Sequence, residues 1–281
     1  MNATGEANPA KRPERWSSGN TYEPYIGRWS RLVAQQFLPW LDVPPGSDWL
    51  DVGCGTGALT QTILGQAHPR WVRGVDITPA YVSYAREQTP DPRTYFTVAD
   101  AQSLPEADAA YDAVVSALAL NFVPQPERAA AEMARVARQR GVAAAYVWDY
   151  AGGMELTRYF WDAAVALDPA AVSLDEGCRF PLCQPDRLAA LFTEAGLSSV
   201  AIRAIDVPTV FRDFDDYWTP FLGGQGPAPS YAMSLTEERR AELRERICGQ
   251  LPVRVDGSIS LRARAWAVKG MHEFPKSVRF R

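Results

Sequence analysis

The spacing of apolar positions changes along the chain, and these changes predict a series of strands and helices. From position 49 to 148, short apolar runs alternate with segments whose apolar residues recur every three or four positions. The runs predict buried strands and the segments predict amphipathic helices, so the alternation predicts an α/β fold with a doubly wound, mostly parallel sheet and helices on both faces. Seven strands are predicted, from WLDV, WVRGVD, TYFTVAD, DAVVSAL, VAAAYVWDY, SSVAIRAIDV and ISLRARAWAV.

Segments outside this alternation set the predicted domain boundaries. Residues 1–20, rich in Gly, Pro, Asn, Ser and charge, predict a mobile N-terminal arm. Residues 21–270 predict a single domain with a helical and loop lid from insertions at about 150–184 and 208–257, followed by a C-terminal tail at 271–281. Aromatic residues between Phe211 and Tyr231 predict a mobile apolar segment in that lid. After them, Ser234 and Glu237 have the spacing of a capping box ahead of a helix.

Composition and charge narrow the class of protein. The chain of 281 residues has a formal net charge of -4, with 47% hydrophobic and 22% charged residues, as is typical of globular enzymes. The acidic balance argues against a partner that is nucleic acid or an anionic membrane. The N-terminus lacks the apolar core of a signal peptide and no long apolar run occurs, so we expect a cytoplasmic location. Four cysteines and two histidines form no metal-type array, so no metal is predicted and a histidine general base is disfavoured.

The stretch WLDVGCGTGALT places three glycines directly after the first predicted strand. Gly53, Gly55 and Ala58 satisfy the dinucleotide pattern G-x-G-x-x-G/A, and Asp76 ends the second strand, where a ribose-binding acid belongs. Asp51, just before the first glycine, would repel a pyrophosphate and would suit an ammonium or sulfonium group. The turn is therefore consistent with two cofactor classes, of which Asp51 disfavours the dinucleotide.

Acidic residues end three successive parallel strands: Asp51, Asp76 and Asp100. The carboxyl ends of parallel strands meet at one edge of the sheet, where ligands bind in such folds. Three acids at this edge match a ligand with a positive amino-acid end, a ribose diol and an adenine amine, and S-adenosylmethionine is such a ligand. For Asp100 the structural alternative is a cap of the turn that follows it.

Four segments in this order and spacing resemble the class I S-adenosylmethionine-dependent methyltransferases, and among them the UbiE-like or methyltransferase type 11 group: DVGCGTG, GVD, VADAQSLP and YDAVVSALALNFVPQP. The resemblance covers about residues 22 to 150. It implies a Rossmann-like fold, S-adenosyl-L-methionine as cofactor and methyl transfer of the EC 2.1.1 type to a small molecule.

The resemblance also implies roles for individual residues. Asp76 is expected to hold the ribose hydroxyls, Ile77 to pack on adenine and Arg28 to pair with the carboxylate of the cofactor. The residues expected around the cofactor are Asp51, Gly53, Cys54, Gly55, Gly57, Asp76, Ile77, Asp100, Ala101, Ser116, Ala117 and Arg28.

The acceptor side is less defined by the sequence. Methyl transfer from a sulfonium is an in-line displacement, so alignment supplies much of the catalysis. If the acceptor must lose a proton, the candidate catalytic residues are Asp149, Tyr22 and Tyr25, whereas a neutral amine needs no strong base. Substrate contacts are expected from Trp29, Asn121, Phe122 and Trp148. Apolar and aromatic residues predict a small, partly apolar acceptor, methylated on O, N or C, in a pocket under the lid.

Two other function classes stay open at this stage. An NAD-linked oxidoreductase of Rossmann type is disfavoured by Asp51 and by the lack of a Tyr-x-x-x-Lys or histidine-based catalytic set. A cofactor-binding protein without turnover also stays open, because a fold does not fix the residues that bind an acceptor. The oligomeric state is open as well, with a homodimer as one alternative, since exposed aromatic residues in the lid would serve a dimer.

Overall fold

A computed structural model describes residues 28–223 and 226–273 of the chain. Its seven strands are β1 Asp48–Val52, β2 Trp71–Asp76, β3 Thr94–Val98, β4 Tyr111–Ala117, β5 Ala137–Trp148, β6 Ser198–Phe211 and β7 Ile259–Met271. They form one sheet in the order β3-β2-β1-β4-β5-β7-β6. Neighbours from β3 to β5 are parallel, and β7 runs antiparallel to both β5 and β6. The predicted doubly wound, mostly parallel sheet of seven strands is confirmed.

Helices connect these strands. The α-helices are α1 Arg28–Leu41, α2 Ala58–Gln66, α3 Pro79–Gln88, α4 Pro126–Val136, α5 Glu155–Leu167, α6 Glu176–Arg179, α7 Pro185–Glu194, α8 Phe214–Trp218, α9 Pro227–Ser234 and α10 Glu237–Gln250. Short 3-10 helices lie at Leu120–Phe122, Pro169–Leu174 and Thr219–Gly223. Of the helices in the described ranges, none has both the length and the apolar character needed to cross a membrane.

Helix ends follow the sequence signals in most places. Pro79 and Pro185 lie in the first turns of α3 and α7, where the missing N–H costs no intrahelical hydrogen bond. The capping box expected at Ser234 and Glu237 is wrong. The cap of α10 is Thr236, which has extended backbone and whose hydroxyl accepts the N–H of Arg239 at 3.3 Å, whereas Ser234 ends the preceding helix.

The aromatic residues predicted as a mobile lid segment lie in the hydrophobic core. Phe211, Tyr217 and Phe221 are at most 1% exposed. Phe221 stacks on Phe160 of α5 at 4.6 Å between ring centroids, and Tyr217 lies 5.3 Å from Phe211. These contacts bury the rings against α5 and β6, so the expectation of exposed aromatic rings is wrong for this part of the chain.

The predicted domain boundaries differ from the strand bounds at one place. Residues 208–211 belong to β6 and pair with β7, so the strand extends into the segment predicted as the second insertion. Met271 ends β7, and the described chain continues to residue 273. The predicted arm at 1–20, together with residues 274–281 of the predicted tail, lies outside the described residues.

An ionic cluster closes the amino-end edge of the sheet, opposite the glycine turn. The Asp48 carboxylate is fully buried and pairs with the guanidinium groups of Arg70 and Arg138, which hold its pKa below the usual value against the effect of burial. Arg138 also pairs with Asp112 at 2.7 Å, and Asp112 accepts the backbone N–H of Asp48 at 2.8 Å. This cluster ties β1, β4 and β5 together away from the candidate site.

Candidate cofactor site

The glycine loop between β1 and α2 adopts a conformation that favours glycine. Gly53, Gly55 and Gly57 have φ values of 72°, 50° and 87°, in the left-handed region. A Cβ atom on Gly53 would lie 2.4 Å from the Cβ of Ala119. The N–H groups of Gly53 and Cys54 both donate to the carbonyl of Val75, at 2.8 and 2.9 Å. The loop is therefore fixed between the end of β2 and the segment after β4.

A cavity of about 350 Å³ opens at the carboxyl ends of the parallel strands, beside this loop. Its volume lies in the range of small-molecule and cofactor sites. Most of its wall is apolar. The lining residues are Ser30, Val52, Gly53, Cys54, Gly55, Thr56, Ala58, Leu59, Asp76, Ile77, Thr78, Tyr81, Ala99, Asp100, Ala101, Gln102, Ser116, Ala117, Leu118, Ala119, Leu120, Phe122, Val123 and Pro124.

Asp76 lines the cavity and also holds the loop. Its Oδ2 accepts the backbone N–H of Gly55 at 3.0 Å, and its Oδ1 accepts the N–H of Thr78 at 2.8 Å. Burial raises the pKa of this carboxyl, and the two hydrogen bonds act in the opposite direction. Ile77 follows Asp76, lines the cavity and is 64% exposed. This exposure leaves its apolar surface accessible to a planar ring.

Asp51 lies behind the glycine loop and is not among the described residues that line the cavity. Its side chain is fully buried, and its Oδ2 accepts the hydroxyl of Thr60 at 2.7 Å. Burial raises the pKa of Asp51 to about 7, and the hydrogen bond from Thr60 lowers it less. At neutral pH the carboxyl is thus partly protonated, which weakens the sequence argument that a charged Asp51 disfavours a pyrophosphate.

Asp100 caps the turn that follows β3 and also lies in the cavity wall. Its Oδ1 accepts the backbone N–H of Gln102 at 2.9 Å, which closes a turn after β3, and both oxygens accept the Gln102 amide at 3.1 Å. Asp100 and Ala101 also line the cavity. The structure therefore brings this acid to the same wall as Asp76.

The end of β4 forms the opposite wall. Ser116 and Ala117 line the cavity, and Leu118 follows with φ 57°, its N–H bonded to the carbonyl of Tyr146 at 2.8 Å. The Ser116 side chain is 1% exposed, and within the described chain its Oγ has no hydrogen-bond partner. Asn121 lies just beyond, with a buried Nδ2 that also lacks a partner among the described residues.

One of the four predicted substrate residues reaches the cavity. Phe122 lines it with 38% of its side chain exposed and meets the ring of Phe180 edge to face, at 5.1 Å and 76°. Trp29 and Trp148 lie elsewhere: Trp29 packs on Phe211 at 5.6 Å, and Trp148 is 1% exposed within β5. The apolar periodicity could not show whether these two tryptophans lie in the core or in the cavity wall, because both kinds of residue occur at apolar positions of the pattern.

The predicted catalytic residues are not brought to this cavity by the described part of the chain. Asp149 is absent from its wall and caps the loop after β5, where its Oδ1 accepts the N–H of Gly152 at 3.2 Å. Tyr22 and Tyr25 lie outside the described residues. Arg28 begins α1, and its side chain also lies outside the description.

Sequence reasoning missed several wall residues. Ser30 of α1 lines the cavity and lies within 3.3 Å of the Tyr146 hydroxyl, and Tyr81 of α3 lines it near Asp76, where burial raises the pKa of the phenol to about 12. Tyr81 could have been found, because it lies in the first turn of the helix after Asp76 and so at the same edge of the sheet. No feature of the sequence pattern indicated that Ser30 lies in the cavity wall.

The residues present fit S-adenosylmethionine better than a dinucleotide. The described wall carries the carboxyls of Asp76 and Asp100 and no Lys, Arg or His. A pyrophosphate would therefore find backbone N–H groups but no cationic side chain in a wall that carries two acids, whereas the negative field of these acids favours a ligand with net positive charge. Gly55 lines the cavity and has open space where a Cβ atom would lie, so it leaves room for close approach of a ligand to the backbone. Gly57 is not among the described residues that line the cavity, and a Cβ atom there would lie 3.3 Å from the Cβ of Ala85.

Comparisons with known proteins agree with this assignment. Residues 50–145 match the model of a family described as methyltransferase domain. The 2-methyl-6-phytyl-1,4-hydroquinone methyltransferase of Synechocystis is 29% identical over 187 residues, 66% of this chain and 57% of that protein. A malonyl-[acyl-carrier protein] O-methyltransferase of Hahella chejuensis is 35% identical over 94 residues, 34% of each protein. The matched segments thus span only about a third to under two thirds of these relatives.

A solved structure shows the same fold at low sequence identity. Phosphoethanolamine N-methyltransferase 2 of Haemonchus contortus, in complex with S-adenosyl-L-methionine, superposes with a TM-score of 0.55 and 13% identity, over 91% of this chain and 56% of that one. Fold and cavity thus define the class, a Rossmann-like α/β protein with a cavity whose residues fit S-adenosylmethionine. Residues 50–145, which include the glycine loop, Asp76 and Asp100, are similar to methyltransferase domains.

Proposed function

We propose that the protein transfers the methyl group of S-adenosylmethionine to a small, partly apolar molecule. The observation that carries the proposal is the cavity itself, where the glycine loop, Asp76 and Asp100 form one wall and Leu118–Leu120 with Phe122–Pro124 form another. The first wall supports binding of the amino-acid and ribose parts of the cofactor. The second leaves an apolar surface for an acceptor.

The described residues suggest how the cofactor is held. Asp76 would accept the ribose hydroxyls at the end of β2, and Ile77 would pack on the adenine, with Asp100 and Ala101 near its amine. Gly53, Gly55 and Gly57 would lie along the methionine part. Backbone groups of Ser116 and Ala117 would face the reacting sulfur, which carries the methyl group that an acceptor attacks in line.

The acceptor end favours positioning over acid–base catalysis. Leu118, Leu120 and Phe122 supply apolar surface there, and no His, Lys or Arg occurs in the described wall. Such a surface orients an acceptor and excludes water, which supports a displacement between aligned groups. Tyr22, Tyr25 and Asp149 stay candidates for a general base only as predictions from the sequence.

The chemical class of the acceptor is narrowed by the edge-to-face pair of Phe122 and Phe180. Aromatic edges favour a planar apolar ring beside them. The relative from Synechocystis is named for a hydroquinone, which is such a ring, and the relative from Hahella chejuensis for a malonyl group on a carrier protein. We give priority to phenolic and hydroquinone acceptors, with carboxylates and amines as the alternatives for O-, C- or N-methylation.

The first test is calorimetric titration of S-adenosylmethionine, S-adenosylhomocysteine and NADH into the purified full chain. We expect the two adenosyl ligands to bind and NADH not to bind, because the described wall carries two acids and no cation that would offset the negative charges of a pyrophosphate. Asp76→Ala should lose adenosyl binding. Folded protein that binds neither adenosyl ligand, or that binds NADH tightly, would contradict the cofactor assignment and favour the oxidoreductase.

The second test measures transfer of a labelled methyl group to phenols and hydroquinones, carboxylates and amines in parallel. Transfer to any of these classes establishes the enzyme and its acceptor chemistry. Tight cofactor binding without transfer to any class would instead support a cofactor-binding protein without turnover. A cytoplasmic location, the absence of nucleic-acid and membrane partners, and a homodimer stay predictions from the sequence.

A further inference from the structure

Asp51 is a buried carboxyl with an incomplete set of partners. Oδ2 accepts the Thr60 hydroxyl at 2.7 Å, and Oδ1 has no hydrogen-bond partner among the described residues. The side chain is fully buried, yet Val52 and Gly53, which follow it in the chain, line the cavity. An ionised carboxylate in this position is costly unless a positive charge lies near it.

The protein supplies no such charge from the described elements around Asp51. The end of β2 contributes a second carboxyl, Asp76, whose negative charge opposes ionisation of Asp51. The glycine loop contributes the Cys54 thiol, whose pKa is raised by burial. Helix α2, which carries Thr60, has no charged residue.

The other elements that pack near Asp51 are β4 and α1. Their described charged groups pair with other residues or are not among the groups that shift the pKa of Asp51. Strand β4, which pairs with β1, carries Asp112 at its opposite end, in an ion pair with Arg138. Helix α1, which packs on α2, carries Arg31, which is not among the groups that shift the pKa of Asp51, and the side chain of Arg28 lies outside the described residues. Among the described side chains, Asp51 and Asp76 therefore share one side of the loop without a basic group that shifts the pKa of Asp51.

A cationic ligand in the cavity would change this balance. S-adenosylmethionine carries an ammonium and a sulfonium against one carboxylate, so it brings a net positive charge to the far side of the loop. A positive charge at short range favours the ionised form of a carboxyl in a poorly solvated place. A neutral adenosine thioether would bring no such charge.

We propose that Asp51 is a proton-linked positioning residue, protonated in the ligand-free protein and ionised when a cationic cofactor enters the cavity. The inference rests on the assignment of S-adenosylmethionine to this cavity. Binding of the cofactor then releases a proton, and the affinity increases as the pH rises. Asp51 acts through Thr60 and the loop, since its side chain does not reach the cavity.

The experiment is calorimetry of S-adenosylmethionine binding in buffers of different ionisation enthalpy, which counts the protons released per ligand. At pH 6.5 we expect about 0.5 to 1 proton from the wild-type chain, and an affinity that rises up to about tenfold per pH unit between pH 5 and 7. Asp51→Asn should bind with little proton release and a flatter pH profile. The neutral ligand 5′-methylthioadenosine should bind the wild-type chain without releasing protons.

Asp100→Asn is the matched control, because it removes another acid at the same edge of the sheet whose oxygens are bonded to Gln102. The affinity of Asp100→Asn for the cofactor can differ from that of the wild-type chain. The number of protons released per bound ligand should equal the wild-type number. Tight binding of S-adenosylmethionine without proton release, or equal release from Asp51→Asn, overturns the linkage and leaves the proposed function intact. Absence of S-adenosylmethionine binding to folded wild-type protein overturns both.

Discussion

The Oδ2 atom of Asp76 accepts the backbone N–H of Gly55 at 3.0 Å, so the acid that ends β2 holds the glycine loop that follows β1. One carboxyl group therefore lines the cavity and fixes the backbone beside it. A substitution at Asp76 alters both the ligand contact and the loop. Loss of binding in Asp76→Ala alone consequently cannot separate these two roles, and substitutions elsewhere in the loop are needed.

Gly53→Ala should disrupt the loop without removing any polar contact. The new Cβ would lie 2.4 Å from that of Ala119, at a residue with φ 72°. We expect the free energy of unfolding to fall by about 2 kcal/mol or more and cofactor affinity to fall at least about tenfold. Chemical denaturation and calorimetry measure the two effects.

Gly65→Ala is the control for this substitution. Gly65 lies in α2, and a Cβ there would have no atom within 4 Å. The helix should be unchanged or stabilised by about 0.5 to 1 kcal/mol, with wild-type cofactor affinity. Equal losses in Gly53→Ala and Gly65→Ala would refute the role given to the loop conformation.

The pH dependence of stability should report the ionisation of Asp51 in the ligand-free chain. Its pKa rises from 3.8 to about 7 in the folded protein, so the folded state binds the proton more tightly than the unfolded state. The stabilisation is complete below pH 3.8 and is lost as the pH rises through about 7. The three-unit difference corresponds to a loss on the order of 4 kcal/mol at most.

Urea denaturation at several pH values compares the wild-type chain with Asp51→Asn. The wild-type free energy of unfolding should fall relative to that of the variant between pH 4 and pH 7. The comparison cancels groups that titrate independently of Asp51 in the same window, whereas Asp76, whose charge acts on Asp51, is coupled to it and contributes to the difference. Parallel pH profiles for the two proteins would show that Asp51 ionises normally in the folded chain.

Asp48→Asn should destabilise the fold far from the cavity. The variant removes the charge that pairs with Arg70 and Arg138, and both arginines keep contact with water. We therefore expect a loss of about 1 to 3 kcal/mol in the free energy of unfolding, with unchanged cofactor affinity. Because the pairing lowers the pKa of Asp48, this contribution is present above pH 3.8 and is lost as the pH falls below it.

An exposed ion pair provides the comparison for Asp48. Glu242 pairs with Arg239 at 2.9 Å on the surface of α10, with about half of each side chain exposed. Glu242→Gln should change the free energy of unfolding by less than about 0.5 kcal/mol. A change as large as that of Asp48→Asn would mean that burial does not determine the strength of these pairs.

Phe122→Ala should separate acceptor binding from cofactor binding. The ring lines the end of the cavity away from Asp76 and contacts Phe180. We expect methyl transfer at low acceptor concentration to fall about tenfold or more, and the dissociation constant of the cofactor to change less than about threefold. Tyr95→Ala, which removes a ring 62% exposed on β3, should leave both quantities unchanged. Equal weakening of cofactor and acceptor binding by Phe122→Ala would place the ring at the cofactor.

The sequence predicts the architecture well because hydrophobic period and loop position are local properties. The run of strands and helices after Trp49, the glycine loop and the acids at Asp76 and Asp100 all lie where the pattern predicts them. Helix boundaries are similar: α7 begins at Pro185 and is followed by Gly196 with φ 85°. These features depend on neighbours within a few positions along the chain.

Features that depend on distant packing were not predicted. Asp51 and Asp76 both end strands, yet Asp51 is buried against Thr60 and Asp76 reaches the cavity. The direction of each side chain is set by which helix covers that face of the sheet, and the periodicity of one strand does not contain this information. Likewise, Trp148 and Phe221 are aromatic residues near predicted pocket segments, but α5 and the neighbouring strands bury them.

The position of β7 has a consequence for synthesis of the chain on the ribosome. β7 pairs with both β5 and β6, although it is made after both of them. The five strands from β1 to β5 can pair with one another as soon as they emerge, and every wall residue of the cavity except Ser30 lies in these strands or in the loops and helices that connect them. The only neighbour of β6 in the described sheet is β7, and more than forty residues separate the end of β6 from the start of β7. The nascent protein can thus assemble its ligand-binding half early, while β6 keeps unpaired backbone groups until β7 is made, with α1 as the helix that packs against it.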